Sequence, residues 1–74
     1  MGISYAKLRE LLIARKISRK ELKANTNLSN GVLARIDKDE YMSLEALERI
    51  ARSLNVDIGD IVQLKDTSSN KFQK

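Results

Sequence analysis

The chain has 74 residues, no Cys, no His, no Pro and a formal net charge of +4. That length makes one domain at most, and its stability must come from packed Leu, Ile and Val, because disulfides and thiolate metal sites are excluded. Carboxylates alone make a poor transition-metal site, the usual general base is missing, and no nucleophile is paired with a base, so neither an enzyme nor a cofactor is expected.

The longest apolar run, Leu11 to Ala14, is too short to span a bilayer. Met1 to Tyr5 lacks the basic-then-apolar pattern of a secretory signal, and Gly2 reads as a cloning remnant rather than an acylation site. A cytoplasmic location with no membrane partner is the expectation. Charge is unevenly spread: residues 1–35 carry eight bases against two acids, whereas residues 36–66 carry four bases against eight acids. The basic first half suits a polyanion, or else is simply a solvated surface.

In chain order, Leu8, Leu11, Leu12 and Arg15 at helical spacing predict a first helix from Tyr5 to about Lys16. Ser18-Arg19-Lys20-Glu21 matches a capping box, in which the Ser18 hydroxyl accepts the Glu21 N–H and the Glu21 carboxylate reaches back to the Ser18 N–H. A short second helix, Arg19 to about Asn25, buries Leu22. Thr26-Asn27-Leu28 is a turn, with Asn27 suited to the left-handed conformation. Ser29 caps a third helix, about Asn30 to Asp37, with Val32, Leu33 and Ile36 as its apolar stripe. After a loop over Lys38 to Met42, Ser43 caps a fourth helix to about Leu54, with Leu44, Leu47, Ile50, Ala51 and Leu54 inward. Asp57 opens a short fifth helix with Ile58, Ile61 and Val62 inward. Residues 65–74 read as a flexible tail, of which only Phe72 is a docking candidate, leaving residues 1–64 as the domain.

The ordered set Ser18-Arg19-Lys20-Glu21-Leu22, Leu28-Ser29, Val32 to Ile36, Ser43 to Ala51 and Leu54 to Ile61 resembles the lambda-repressor-like, Cro/CI-type (XRE) helix-turn-helix family. The resemblance implies an all-α fold, a compact bundle of five short helices. Its third helix lies in the major groove of double-stranded DNA and its second across the backbone. The function implied is sequence-specific DNA binding by a transcriptional regulator of phage or bacterial type, a repressor. The alternative is an antitoxin or phage accessory protein that uses the fold for protein contacts; the basic face of helices two and three favours DNA. Few aromatic residues argue against single-strand or RNA recognition.

The sequence departs from the family pattern in three ways. Lys23 stands where a small residue is common and must extend its charge outward. Asn27 replaces a Gly in the turn. Leu12 and Asp37 occupy positions where many members have an Arg–Glu pair, so no buried ion pair is expected.

For base contacts the candidates are Ser29, Asn30, Gly31 and Arg35 at the start and exposed face of helix three. Asn30 has the groups for a bidentate pair with adenine, and Arg35 for one with guanine; otherwise Asn30 helps cap the helix and Arg35 pairs with Asp39. Gly31 either permits close approach to a base or has no role. Phosphate contacts are expected from Ser18, Arg19, Lys20 and Lys38, with Arg19 the leading clamp at the positive end of helix two. Tyr41 either donates its hydroxyl or packs on the core, and packing is the expectation. One recognition helix reads too few base pairs for useful specificity, so a homodimer, at least on DNA, is expected. Ile13, Val62 and Leu64 form its candidate patch unless the small core needs them. No small-molecule substrate is evident.

Overall fold

The computed structural model describes residues 2–65. It holds four α-helices: α1 (Ala6–Ala14), α2 (Arg19–Thr26), α3 (Asn30–Lys38) and α4 (Leu44–Leu54). A 3-10 turn, Ile58–Asp60, follows α4. The chain ends pair as two short antiparallel strands, β1 (Ile3–Ser4) and β2 (Gln63–Leu64), with Ile3 opposite Leu64 and Ser4 opposite Gln63.

Helix starts follow the sequence closely. The hydroxyls of Ser18, Ser29 and Ser43 accept the N–H of Glu21, Val32 and Ala46 at 3.0, 3.2 and 3.0 Å, so each helix start has one orphan donor satisfied. Only half of the capping box at α2 forms: the hydrogen bonds among the described residues include no return bond from Glu21 to the Ser18 N–H. Helix ends use left-handed residues at Lys16, Asn27, Asp39 and Asn55. After three of them the next N–H reaches back five residues, from Ile17 to Leu12, Glu40 to Arg35 and Val56 to Ala51. These bonds use otherwise orphaned C-terminal carbonyls. They also end α1 at Ala14, short of the expected Lys16, because Lys16 itself has left the helical region.

Tyr5, Leu8, Leu12, Leu22, Leu33, Ile36, Leu47, Ile50, Ala51, Leu54 and Ile61 form one buried cluster, with Ile17, Leu28, Met42, Val56, Ile58 and Val62 against its edge. Burying one such Leu or Ile side chain contributes about 1.5–3 kcal/mol, so this cluster outweighs the caps in holding the helices together. Helix α2 enters it through Leu22, and its other buried residue is Thr26. The buried Thr26 hydroxyl is satisfied by the Leu22 carbonyl at 2.8 Å.

Several expectations need correction. Among the described residues the fold has four α-helices rather than five, and it is not purely α. The segment after Asp57 makes only a 3-10 turn, because Ile61 (φ −121°, ψ −16°) departs from helical geometry and the chain runs out into β2. Leu44, expected inward, is 72 % exposed, since it is the first residue of α4 and precedes the part of the helix that meets the core. Tyr41, expected to pack, is 69 % exposed; Tyr5 takes the buried place and donates its hydroxyl to the Glu40 carbonyl at 2.7 Å.

An Arg of α1 does pair with an acid after α3. The residues are Arg9 and Asp39, at 3.0 Å and partly buried, one turn before Leu12 and two residues past Asp37. Arg9 Nη1 also donates to the Ile36 carbonyl, and Arg15 Nη1 donates to the Leu54 carbonyl. The guanidiniums of Arg9 in α1 and of Arg15, the residue just past its end, thus hold the negative C-terminal ends of α3 and α4. Of the residues named for a dimer patch, Val62 lies half-buried against the core, while Ile13 and Leu64 are exposed. Leu64 sits beside Ile3 ahead of α1 and Ile13 near the end of α1, about 10 Å of helix away. Lys65, the first residue of the expected tail, donates its N–H to the Gly2 carbonyl at 2.9 Å. The rest of that segment, including Phe72, lies outside the described residues.

Candidate nucleic-acid interface

Helix α3 is set in place from below by the buried Leu33 and Ile36 and at its end by the Arg9, Asp39 and Tyr5 contacts. That orientation leaves Asn30, Gly31, Ala34, Arg35, Asp37 and Lys38 on the exposed side. Of the stripe that helical spacing predicts, Leu33 and Ile36 face inward, whereas Val32 is only half-buried and stays outside the core cluster; the outward residues follow from the spacing of Leu33 and Ile36. Helix α2 crosses beside α3 through the tight turn at Asn27 (φ 60°) and Leu28.

Between the two helices lies a shallow cleft of 360 Å³ lined by Arg19, Lys20, Lys23, Asn30, Leu33, Ala34 and Asp37. Three cations and one carboxylate on so small a surface suit an anion. Lys23 is exposed and lines this cleft. In the sequence alone Lys23 presents first as a charge that must be extended from the helix crossing. The signal was there: Lys23 lies four residues after Arg19 and three after Lys20, which puts it on their face of α2.

The residues named for base contacts fall together at one end and along one face of α3. Ser29 is engaged as its cap, with Asn30 and Gly31 exposed in the first turn. A Cβ on Gly31 would meet nothing nearer than the Ser29 hydroxyl at 3.9 Å, so no close contact within the domain demands glycine there. Arg35 Nη1 donates to the Tyr41 carbonyl at 3.1 Å. The alternative partner considered for Arg35, Asp39, is held instead by the Tyr5 N–H at 2.9 Å and by Arg9.

The residues named for phosphate contacts are less uniform. Ser18, Arg19 and Lys20 gather at the start of α2, whereas Lys38 ends α3. Arg19 is not free: its Nη2 pairs with Asp37 Oδ1 at 2.7 Å across the cleft. The Tyr5 N–H, then the Arg9 guanidinium, hold the Asp39 carboxyl below its ordinary value against the opposing effect of burial. That acid therefore serves the frame and not the cleft.

A model of the Cro/C1-type helix-turn-helix DNA-binding domain matches residues 7–67. The chain belongs to that family. The crystal structure of the transcriptional regulator VanUg, form II, is similar: it shares 39 % identity with a TM-score of 0.78, over 84 % of this chain and 83 % of that one. A search of curated proteins gave no match. Among the described residues no helix is long and apolar enough to cross a membrane, and no group of three or more acidic side chains could hold a metal ion.

Proposed function

We propose that this Cro/C1-type domain is a sequence-specific transcriptional regulator that binds double-stranded DNA, a repressor of phage or bacterial type that acts in the cytoplasm. The observation that carries this reading is the exposed face of α3, with Asn30, Gly31 and Arg35, beside the basic cleft it shares with α2. In this reading α3 enters the major groove. Asn30 and Arg35 read base edges, Ser29 and Gly31 lie close to them, and Ser18, Arg19, Lys20 and Lys38 contact phosphates. Lys23 joins the phosphate set because it shares the cleft. Repression follows when such a domain occupies a promoter and excludes the polymerase. The similarity to a transcriptional regulator over most of both chains supports the assignment.

We further propose that residues 1–64 act as the DNA-binding unit and 65–74 as a tail, and that two copies bind half-sites about 34 Å apart. Selection of duplexes from a random pool, followed by sequencing, tests the whole reading. A palindromic motif is the expected result. Recovery of no motif, together with stable binding to a protein partner, would instead support the antitoxin-like use of the fold.

A further inference from the structure

The ion pair across the cleft joins a candidate phosphate clamp to an acid. Arg19 is the first residue of α2 and Asp37 stands in the last turn of α3. Their side chains meet at 2.7 Å while remaining 38 % and 59 % exposed. Lys20 and Lys23 line the same cleft, and Asp37 is the one carboxylate among its lining residues. Arg19 Nε is covered and has no hydrogen-bond partner among the described residues. The guanidinium edge formed by Nε and Nη2 is therefore one acceptor short, where a phosphate supplies two.

We propose that Asp37 is an internal competitor for the phosphate that Arg19 takes, so that DNA must displace the carboxylate to engage the clamp. The proposal rests on the DNA-binding reading above. It concerns a residue set on the DNA-facing side whose charge works against binding. An ion pair this exposed is weak enough to be exchanged for a phosphate, yet it lowers affinity for every sequence alike. Asp37 thus tunes non-specific retention, leaving a larger share of the binding free energy to the base contacts of Asn30 and Arg35.

The test is a double-mutant cycle on mixed-sequence duplex DNA with the full chain, using Asp37→Asn, Arg19→Ala and the combination. Asp37→Asn is expected to bind about two- to fivefold more tightly. Its salt dependence should also be steeper, by up to about one phosphate equivalent. Both gains should vanish when Arg19 is already Ala. Thermal melting of each variant confirms that the folded fraction is intact. An equal gain in the Arg19→Ala background would reduce Asp37 to long-range repulsion and overturn the proposal. So would unchanged or weaker binding by Asp37→Asn. If the wild-type chain binds no duplex at all, the DNA-binding reading itself has failed, an outcome distinct from the others.

Discussion

Asp39 accepts the backbone N–H of Tyr5 at 2.9 Å, and the same oxygen meets Arg9 at 3.0 Å. One side chain just past α3 thereby fixes the start of α1, and through Arg9 the end of α3. Lys65 Nζ approaches the other carboxylate oxygen at 3.8 Å. Helix α3 is thus held in position by a residue that takes no part in the cleft.

The first prediction follows from that hub. The Asp39 carboxyl is held below its ordinary value, first by the Tyr5 N–H and next by the Arg9 side chain. A depressed folded-state value means the native state favours the ionised form. The contribution is therefore present above the unfolded-state value of about 4 and is lost as pH falls through the folded one. Asp39→Asn keeps a residue that tolerates the left-handed conformation. Chemical denaturation across pH should show wild type more stable than Asp39→Asn at neutral pH, with the two curves converging in acid. A gap that persists unchanged into strong acid would show that the ionised carboxylate is not what stabilises the native state.

The second prediction is the electrostatic signature of binding. If about four to six phosphates are neutralised per domain, log K should fall with log salt at a slope of about −4 to −5. Fluorescence anisotropy with a labelled duplex at several salt concentrations measures it. A flat dependence, or preference for single strands, would remove the phosphate-contact reading of α2.

The third separates clamp from reader. Arg19→Ala should weaken all duplexes about equally and make the salt slope shallower by about one. Arg35→Ala should cost about 1–3 kcal/mol on the selected site and little on random DNA. A changed site preference in Arg19→Ala would mean that α2 does not lie on the backbone.

Local chemistry was legible in the sequence and long-range choice was not. Ser18, Ser29 and Ser43 could be read as caps because donor and acceptor lie three residues apart. The outward position of Asn30 and Arg35 followed from the spacing of Leu33 and Ile36, so the face of α3 was also legible. The pair Arg9–Asp39 spans 30 residues and Arg19–Asp37 spans 18, and several charges could have satisfied either end. Tyr5 and Tyr41 offer the same hydroxyl, and only the closed fold decides which is buried. The strand pair was invisible for the same reason: Ile3 and Leu64 carry no signal of each other until the helices between them have packed.

The fourth prediction concerns the start of α2. Ser18→Ala removes the acceptor for the Glu21 N–H and should cost roughly 0.5–2 kcal/mol, a fall of about 4–8 °C in melting temperature for each kcal/mol. Glu21→Ala, which removes any group able to reach back to the Ser18 N–H, should change the melting temperature less, because no return bond to Ser18 has to be broken. Circular dichroism melts of both variants without DNA decide it. Equal losses would mean that the Glu21 carboxylate closes the box in solution.

The last prediction sets stability against binding at one position. Gly31 lies in the first turn of α3, is exposed, and leaves room for a Cβ. Alanine is a better helix former than glycine by about 1 kcal/mol. Gly31→Ala should therefore raise the melting temperature of the free domain. If the glycine serves close approach to a base edge, the same methyl must push the helix away from the groove floor, and affinity for the selected site should fall even as the fold gains stability. Opposite movement of the two quantities cannot come from damage to the domain, which lowers both. Melting curves and anisotropy titrations on one preparation give the answer. A variant that is more stable and binds as tightly as wild type would show that Gly31 has no part in recognition, leaving Asn30 and Arg35 to carry it.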